Sequence, residues 1–211
     1  MVRLMDIGLE RLRNMVLDMA KHSEQLVTMT IDAYRQGKDL GRQSFDWAEQ
    51  LRLLQDETSE LAVELMVRYQ PVASDLRFVK SCMDIAYGFS RVGRYANDIS
   101  RTLQVFGDLS MCDRTAVEQA GDHVKQIISL AIQAFTKRDV ELARKLREMD
   151  NVVDRMYLDC LRKAAQSSQT DTRCVVSQTL IIRYFERIAD HMTNIGDSVL
   201  YIVSGERSAR K

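Results

Sequence analysis

Several things are nearly missing from this sequence of 211 residues. It has 1 proline and 9 glycines. An all-β sandwich needs a turn every ~8–12 residues and would use more of both, so a sandwich, a collagenous chain and a low-complexity chain are all excluded. Charge of one sign is not in excess, with 30 basic against 30 acidic residues. A generic nucleic-acid binder would carry a basic surplus. No apolar run approaches the ~18 residues of a membrane helix, and the longest, residues 175–182, is broken by Ser177, Gln178 and Thr179. The start, Met1-Val2-Arg3-Leu4-Met5-Asp6, has no apolar run of the secretory kind. The 4 cysteines, Cys82, Cys112, Cys160 and Cys174, form no Cys-x-x-Cys pair. They read as reduced thiols of a cytoplasmic protein. Gly-rich phosphate loops, a Gly-x-Ser-x-Gly elbow and paired Cys/His clusters are also missing.

What remains is helical periodicity from end to end. Leu9, Leu12, Val16, Met19, Leu26, Val27, Ile31 and Tyr34 form one stripe. Leu51, Leu54, Leu61 and Leu65 form a second, and Ile85, Phe89, Val92, Ala96, Ile99, Leu103 and Phe106 a third. Three more follow: Val124 to Phe135, Leu142 to Cys160, and Ile181 to Ile202. Spacings of three and four bury one face of each helix against partner helices.

The third and sixth stripes share a register at an offset of 96 residues, from Arg77 to Arg173. Ser74-Asp75-Leu76-Arg77 answers Thr170-Asp171-Thr172-Arg173, with Ser74 and Thr170 as expected N-caps. Phe89-Ser90-Arg91-Val92 answers Phe185-Glu186-Arg187-Ile188. The chain thus reads as all-α: six long helices in two tandem three-helix bundles, 1–108 and 109–211. The halves differ by an insertion around Gly37 to Ser44.

Polar chemistry gathers on the last helix. At about 100° per residue, Glu186, Asp190, Asn194 and Asp197 fall in one quadrant, opposite the apolar stripe, and are expected to face away from the core. Such a row suits a hard or borderline cation, and His191 stands one step round. Asp150 and Asp154 on the preceding helix approach the row if the two helices are antiparallel. Carboxylates four apart are also the ordinary solvated face of a helix, and that reading stays open. In the first half Asp56 and Glu60 match the Asp150 pair, while Ser90, Arg94, Asp98 and Arg101 stand in for Glu186, Asp190, Asn194 and Asp197. With two ligands replaced by cations, this row cannot hold a metal in the same way. Arg94 is instead expected to substitute for the ion by pairing with Asp56 or Glu60. His22 and His123 read as surface or capping residues, Trp47 as a packing anchor, the methionines as gap fillers, and Arg207 to Lys211 as a frayed basic end.

Taken together these residues resemble the PhoU family of phosphate-uptake regulators. The resemblance rests on Arg68-Tyr69-Gln70-Pro71-Val72-Ala73-Ser74-Asp75-Leu76-Arg77 before the third helix. It rests also on Phe185-Glu186-Arg187-Ile188-Ala189-Asp190, close to a Glu-Arg-Ile-Gly-Asp motif, on Asn194-Ile195, and on the ending Tyr201-Ile202-Val203-Ser204-Gly205. It implies two three-helix bundles related by pseudo-symmetry and no catalysis. It implies a cytoplasmic adaptor between a phosphate ABC transporter and a sensor histidine kinase, repressing the phosphate-starvation response when phosphate is plentiful. Homodimerisation and a peripheral position at the membrane belong to the same expectation. Iron, zinc or another divalent ion is implied at Glu186, Asp190, Asn194, Asp150 and Asp154, with Asp56, Glu60, Ser90, Arg94 and Asp98 as a degenerate first site. The alternatives are a similar regulator of another anion transporter and a metal-dependent ferritin-like enzyme. The second would need Glu-x-x-His ligands, and the sequence has no such motif.

Overall fold

The computed structural model describes residues 4–38, 40–166 and 171–206. Six helices account for most of them: α1 (Leu4–Gln36), α2 (Arg42–Tyr69), α3 (Ala73–Phe106), α4 (Thr115–Lys137), α5 (Val140–Gln166) and α6 (Thr172–Ser204). No strand occurs among the described residues.

Each apolar stripe becomes a buried face. Leu12, Val16 and Met19 of α1 are fully buried, as are Phe89, Val92 and Ala96 of α3 and Ile188, Met192 and Val199 of α6. Fully burying one such side chain stabilises by about 1.5–3 kcal/mol, which is why the stripes dictate the packing. The ends of the helices follow local chemistry. The α4–α5 turn is only two residues long. Arg138 takes a left-handed conformation (φ 52°) and donates its N–H to Ala134 and Phe135 carbonyls. Asp139 then accepts from the backbone N–H of Glu141 and Leu142, covering donors that a helix start leaves open.

The expected caps are corrected. Asp171 caps α6, accepting from the backbone N–H of Arg173. Thr170 lies outside the described residues, as do Arg207 to Lys211. Val72 precedes α3, and Ser74 sits inside its first turn. A carboxylate accepts an N–H two residues on as readily as a hydroxyl does, and the helix start decides which residue is in place. His22 and His123 are half-buried: His22 meets Trp47 edge-on at 5.7 Å, and His123 Nε2 lies 3.1 Å from the Met149 carbonyl.

Within each half the three helices pack against one another. Between halves α3 lies on α6 and α1 on α4, while α2 and α5 make no contact. One continuous core runs through both halves. The pair α3–α6 is therefore central. α1 and α4 close one side of it, and the opposite side is a strip open between α2 and α5.

A second correction concerns the cysteines. Cys112, in the 107–114 connector, is disulfide-bonded to Cys174 in the first turn of α6, with Cα atoms 5.5 Å apart across a sequence separation of 62. Sequence spacing carries no trace of this, because only the fold brings the connector to the start of α6. Cys82 is buried and free, its thiol pushed up by burial; Cys160 is also free and half-buried. Titration of the denatured, unreduced chain should find two free thiols, and four after reduction. Cys112→Ser should lower the unfolding free energy by about 2–4 kcal/mol in urea melts, the usual effect of opening a loop of this length.

Candidate functional site

The α5–α6 hairpin brings four acids together. Asp150 and Asp154 of α5 face Glu186 and Asp190 of α6 closely enough that Asp154, Asp190 and Glu186 raise the proton affinity of Asp150, and Asp154 that of Asp190. Glu186 is only 7% exposed, so this end of the row does not face outward as its angular position suggests. The reason is the close approach of α5. At Gly196 an added Cβ would lie 2.8 Å from the backbone oxygen of Ala143. There α5 runs close along α6, and Glu186 and Asp190 lie at the seam between the two helices.

Two arginines, Arg183, which the sequence reading passed over, and Arg187, which it quoted without a role, occupy the acids. Arg183 Nη1 lies 2.7 Å from Glu186 Oε1, and Arg187 reaches Glu186 Oε2 at 3.0 Å and Asp190 Oδ2 at 3.0 Å. Arg183 also rests on the Tyr157 ring, 5.1 Å from its centroid. The signal was available: Arg183 to Glu186 and Arg187 to Asp190 are both i, i+3 pairs, which face each other on a helix. The remaining members of the row are elsewhere. Asp197 pairs with Arg147 of α5 at 3.0 Å, and Asn194 is exposed. His191 turns toward α3, between Tyr87 (5.9 Å) and Tyr95 (5.8 Å). Burial, then Arg91 and Arg187, lower its pKa to about 4, so it stays neutral.

Among the described residues no three His, Cys, Asp or Glu side chains form a group able to hold a metal ion. A cation at the seam would have to displace Arg187 from both Glu186 and Asp190. As folded, the donor set fits the guanidinium rather than an ion. Asp150 is the exception in the cluster. Its Oδ1 is buried with no hydrogen-bond partner. Burial first, then Asp154, Asp190 and Glu186, push its pKa up to about 7, against a lowering hydrogen bond from Thr193. Burial also raises Glu186 and Asp190.

The first half differs at every position. Ser90 is buried; Glu60 and Arg94 are exposed. Asp56 is taken by Arg52 of its own helix at 2.7 Å. No ion pair joins Arg94 to Asp56 or Glu60 among the described residues, so Arg94 does not replace an ion there. Gly93 is the residue that α3 turns toward α2, against Leu51 and Ala48. Arg94, about 100° further round, points away from α2. Asp98 is raised by burial while Arg94, Arg101 and Arg91 draw it down.

Asp150 gives a pH test. Its folded pKa of about 7 exceeds its ordinary 3.8. Between these values the native state holds a proton that the unfolded chain has lost, so stability falls as pH rises through the window and levels off above it. Asp150→Asn should remove that slope. Because the group is about half-exposed, the gain over the native chain should be on the order of 1 kcal/mol at about pH 8 and near zero at about pH 4, read as urea midpoints.

Comparison with known proteins places this architecture. The PhoU domain family profile matches residues 16–103 and 117–199, one stretch in each half. A phosphate-specific transport system accessory protein PhoU homolog from Pseudomonas putida is 30% identical over 203 residues, 93% of this chain and 79% of the relative. The phosphate-specific transport system accessory protein PhoU of Escherichia coli is 28% identical over 203 residues, 94% of this chain and 84% of the relative. The crystal structure of PhoU from Pseudomonas aeruginosa superimposes with a TM-score of 0.88 at 27% identity, over 95% of this chain and 99% of that one. A phosphate transport system regulatory protein PhoU from Streptococcus pneumoniae shares the fold at TM-score 0.88 and 18% identity, covering 98% of this chain and 100% of that one. With both halves matched and the fold reproduced at full length, the chain belongs to the PhoU family.

Proposed function

We propose that this chain is an accessory regulator of phosphate uptake. It works by docking between a phosphate ABC transporter and a sensor histidine kinase on the cytoplasmic side, and it holds the phosphate-starvation response off when phosphate is plentiful. The observation that carries the reading is the match to accessory proteins of the phosphate-specific transport system over more than nine-tenths of the chain. The chain is not an enzyme, in keeping with its family of accessory proteins. Of its acids, Glu186 and Asp190 are engaged by Arg183 and Arg187, and Asp197 by Arg147. No helix of the described residues is long and apolar enough to cross a membrane, which suits a protein that reaches its transporter from one side.

Deleting the gene should leave phosphate uptake and a reporter of phosphate-starvation genes high in phosphate-rich medium, and supplying the gene in trans should restore repression. Normal repression and uptake in the deletion strain overturn the reading. A normal phosphate response with disturbed uptake of another oxyanion would move the chain to a different transporter.

A further inference from the structure

The open strip of α3 and α6 carries a polar constellation separate from the buried acids. On α3, Tyr87, Arg91, Arg94, Asp98 and Arg101 recur at spacings of four, three, four and three, which puts them on one face. Neighbouring residues orient that face. Gly88 packs on Ile195 of α6, Gly93 packs on Leu51 of α2, and Phe89, Val92 and Ala96 fill the core. The stripe is what remains, and it turns outward. Tyr184, Arg187 and His191 of α6 lie beside it. Tyr95 stacks on Tyr184 at 6.3 Å and leans on His191 at 5.8 Å. Arg91 lies over the Tyr95 ring at 5.0 Å and donates Nη2–H to Tyr95 Oη at 2.8 Å.

This strip is short of carboxylates. Several arginines elsewhere are matched, Arg35 with Asp122, Arg52 with Glu49 and Asp56, Arg147 with Asp197, and those without an ion pair among the described residues, such as Arg11 and Arg155, are not gathered on one face with Arg91, Arg94 and Arg101. Arg91, Arg94 and Arg101 have no ion pair among the described residues, and the acid that lies among them is Asp98. Arg91 Nε is buried with no acceptor. Three cations against one anion stand out in a chain whose formal net charge is zero.

We propose that the α3–α6 strip between α2 and α5 is a docking surface for an acidic polypeptide segment, held by Arg91, Arg94 and Arg101 and bedded on Tyr95 and Tyr184. The geometry favours a chain over a small oxyanion. Arg91 to Arg101 spans about 15 Å of helix axis, too long for one phosphate to bridge. Asp98 inside the row repels a compact dianion, whereas carboxylates spaced along a peptide straddle it. The tyrosine rings offer apolar faces with polar tips, the surface that peptide partners use. The inference rests on reading the chain as a regulator that acts by docking, and supplies the partner-facing surface that reading leaves open.

The test uses the full chain and fluorescein-labelled decaglutamate, followed by fluorescence anisotropy in low salt. Arg94→Glu/Arg101→Glu should weaken binding about tenfold or more, and Arg11→Glu/Arg144→Glu, reversed on other faces, less than about twofold. Should the first variant fail to fold by circular dichroism, Arg94→Gln/Arg101→Gln replaces it, with a smaller loss expected in the same direction. No binding of decaglutamate overturns the proposal, as does equal affinity for the native and strip-reversed chains, or equal loss in both variants. Displacement of the peptide by millimolar inorganic phosphate, or preference for phosphatidylglycerol vesicles, would also overturn it, reassigning the strip to a small oxyanion or a lipid surface. In cells the outcomes separate. A strain carrying the strip-reversed allele that represses normally, while the deletion strain does not, sinks this surface alone. A deletion strain that represses normally sinks the regulatory reading itself.

Discussion

Gly88 of α3 faces Ile195 of α6, where a Cβ would lie 3.1 Å from the isoleucine Cγ1. Along this seam the two halves stop being separate bundles. Phe89, Val92 and Ala96 from one side and Ile188, Met192 and Val199 from the other belong to a single buried cluster. Interiors are packed nearly as densely as organic crystals, so a shift at this seam is felt by every helix resting on it. With α3 and α6 fixed side by side, α1 and α4 meet on one face and α2 and α5 are held apart on the other. The open strip, its aromatic cluster and its unmatched arginines all follow from that one contact.

The two polar regions differ because burial sets the worth of a charge. Glu186 is nearly inaccessible and bound by two guanidinium groups. Both arginines are partly exposed, and removing one leaves the other on the acid, so either loss costs less than the roughly 3–5 kcal/mol of breaking a fully buried pair. The exposed Arg52–Asp56 pair is screened by water and contributes little. The second half therefore keeps its acids as part of the packed structure, with Asp150 protonated up to near neutrality to limit the repulsion. In the first half Ser90 and Arg94 replace Glu186 and Asp190, and α3 is left with positive charge facing the solvent. The same register carries an acidic seam in one repeat and a basic surface in the other.

Side-chain periodicity determined much of this from the sequence alone. The six helices, their core faces and the 96-residue repeat from Arg77 to Arg173 were legible because burying a stripe at three-four spacing leaves few alternatives. The grouping of Asp150 and Asp154 with Glu186 and Asp190 was legible only on the condition that α5 runs antiparallel to α6, which the contacts Ala143–Gly196 and Cys160–Thr179 supply. Four things only the tertiary structure decided. Cys112 meets Cys174 because the connector ends over the first turn of α6. Glu186 is buried because α5 packs against that side of α6 and Arg183 and Arg187 fold over it. Arg94 misses Asp56 and Glu60 because α3 presents Gly93, not Arg94, to α2. His191 turns from the acids to Tyr87 and Tyr95 because α3, not α5, occupies that side of α6. A helical wheel fixes the angle between residues on one helix; it holds no information about which neighbour lies at each angle, or how near its backbone comes.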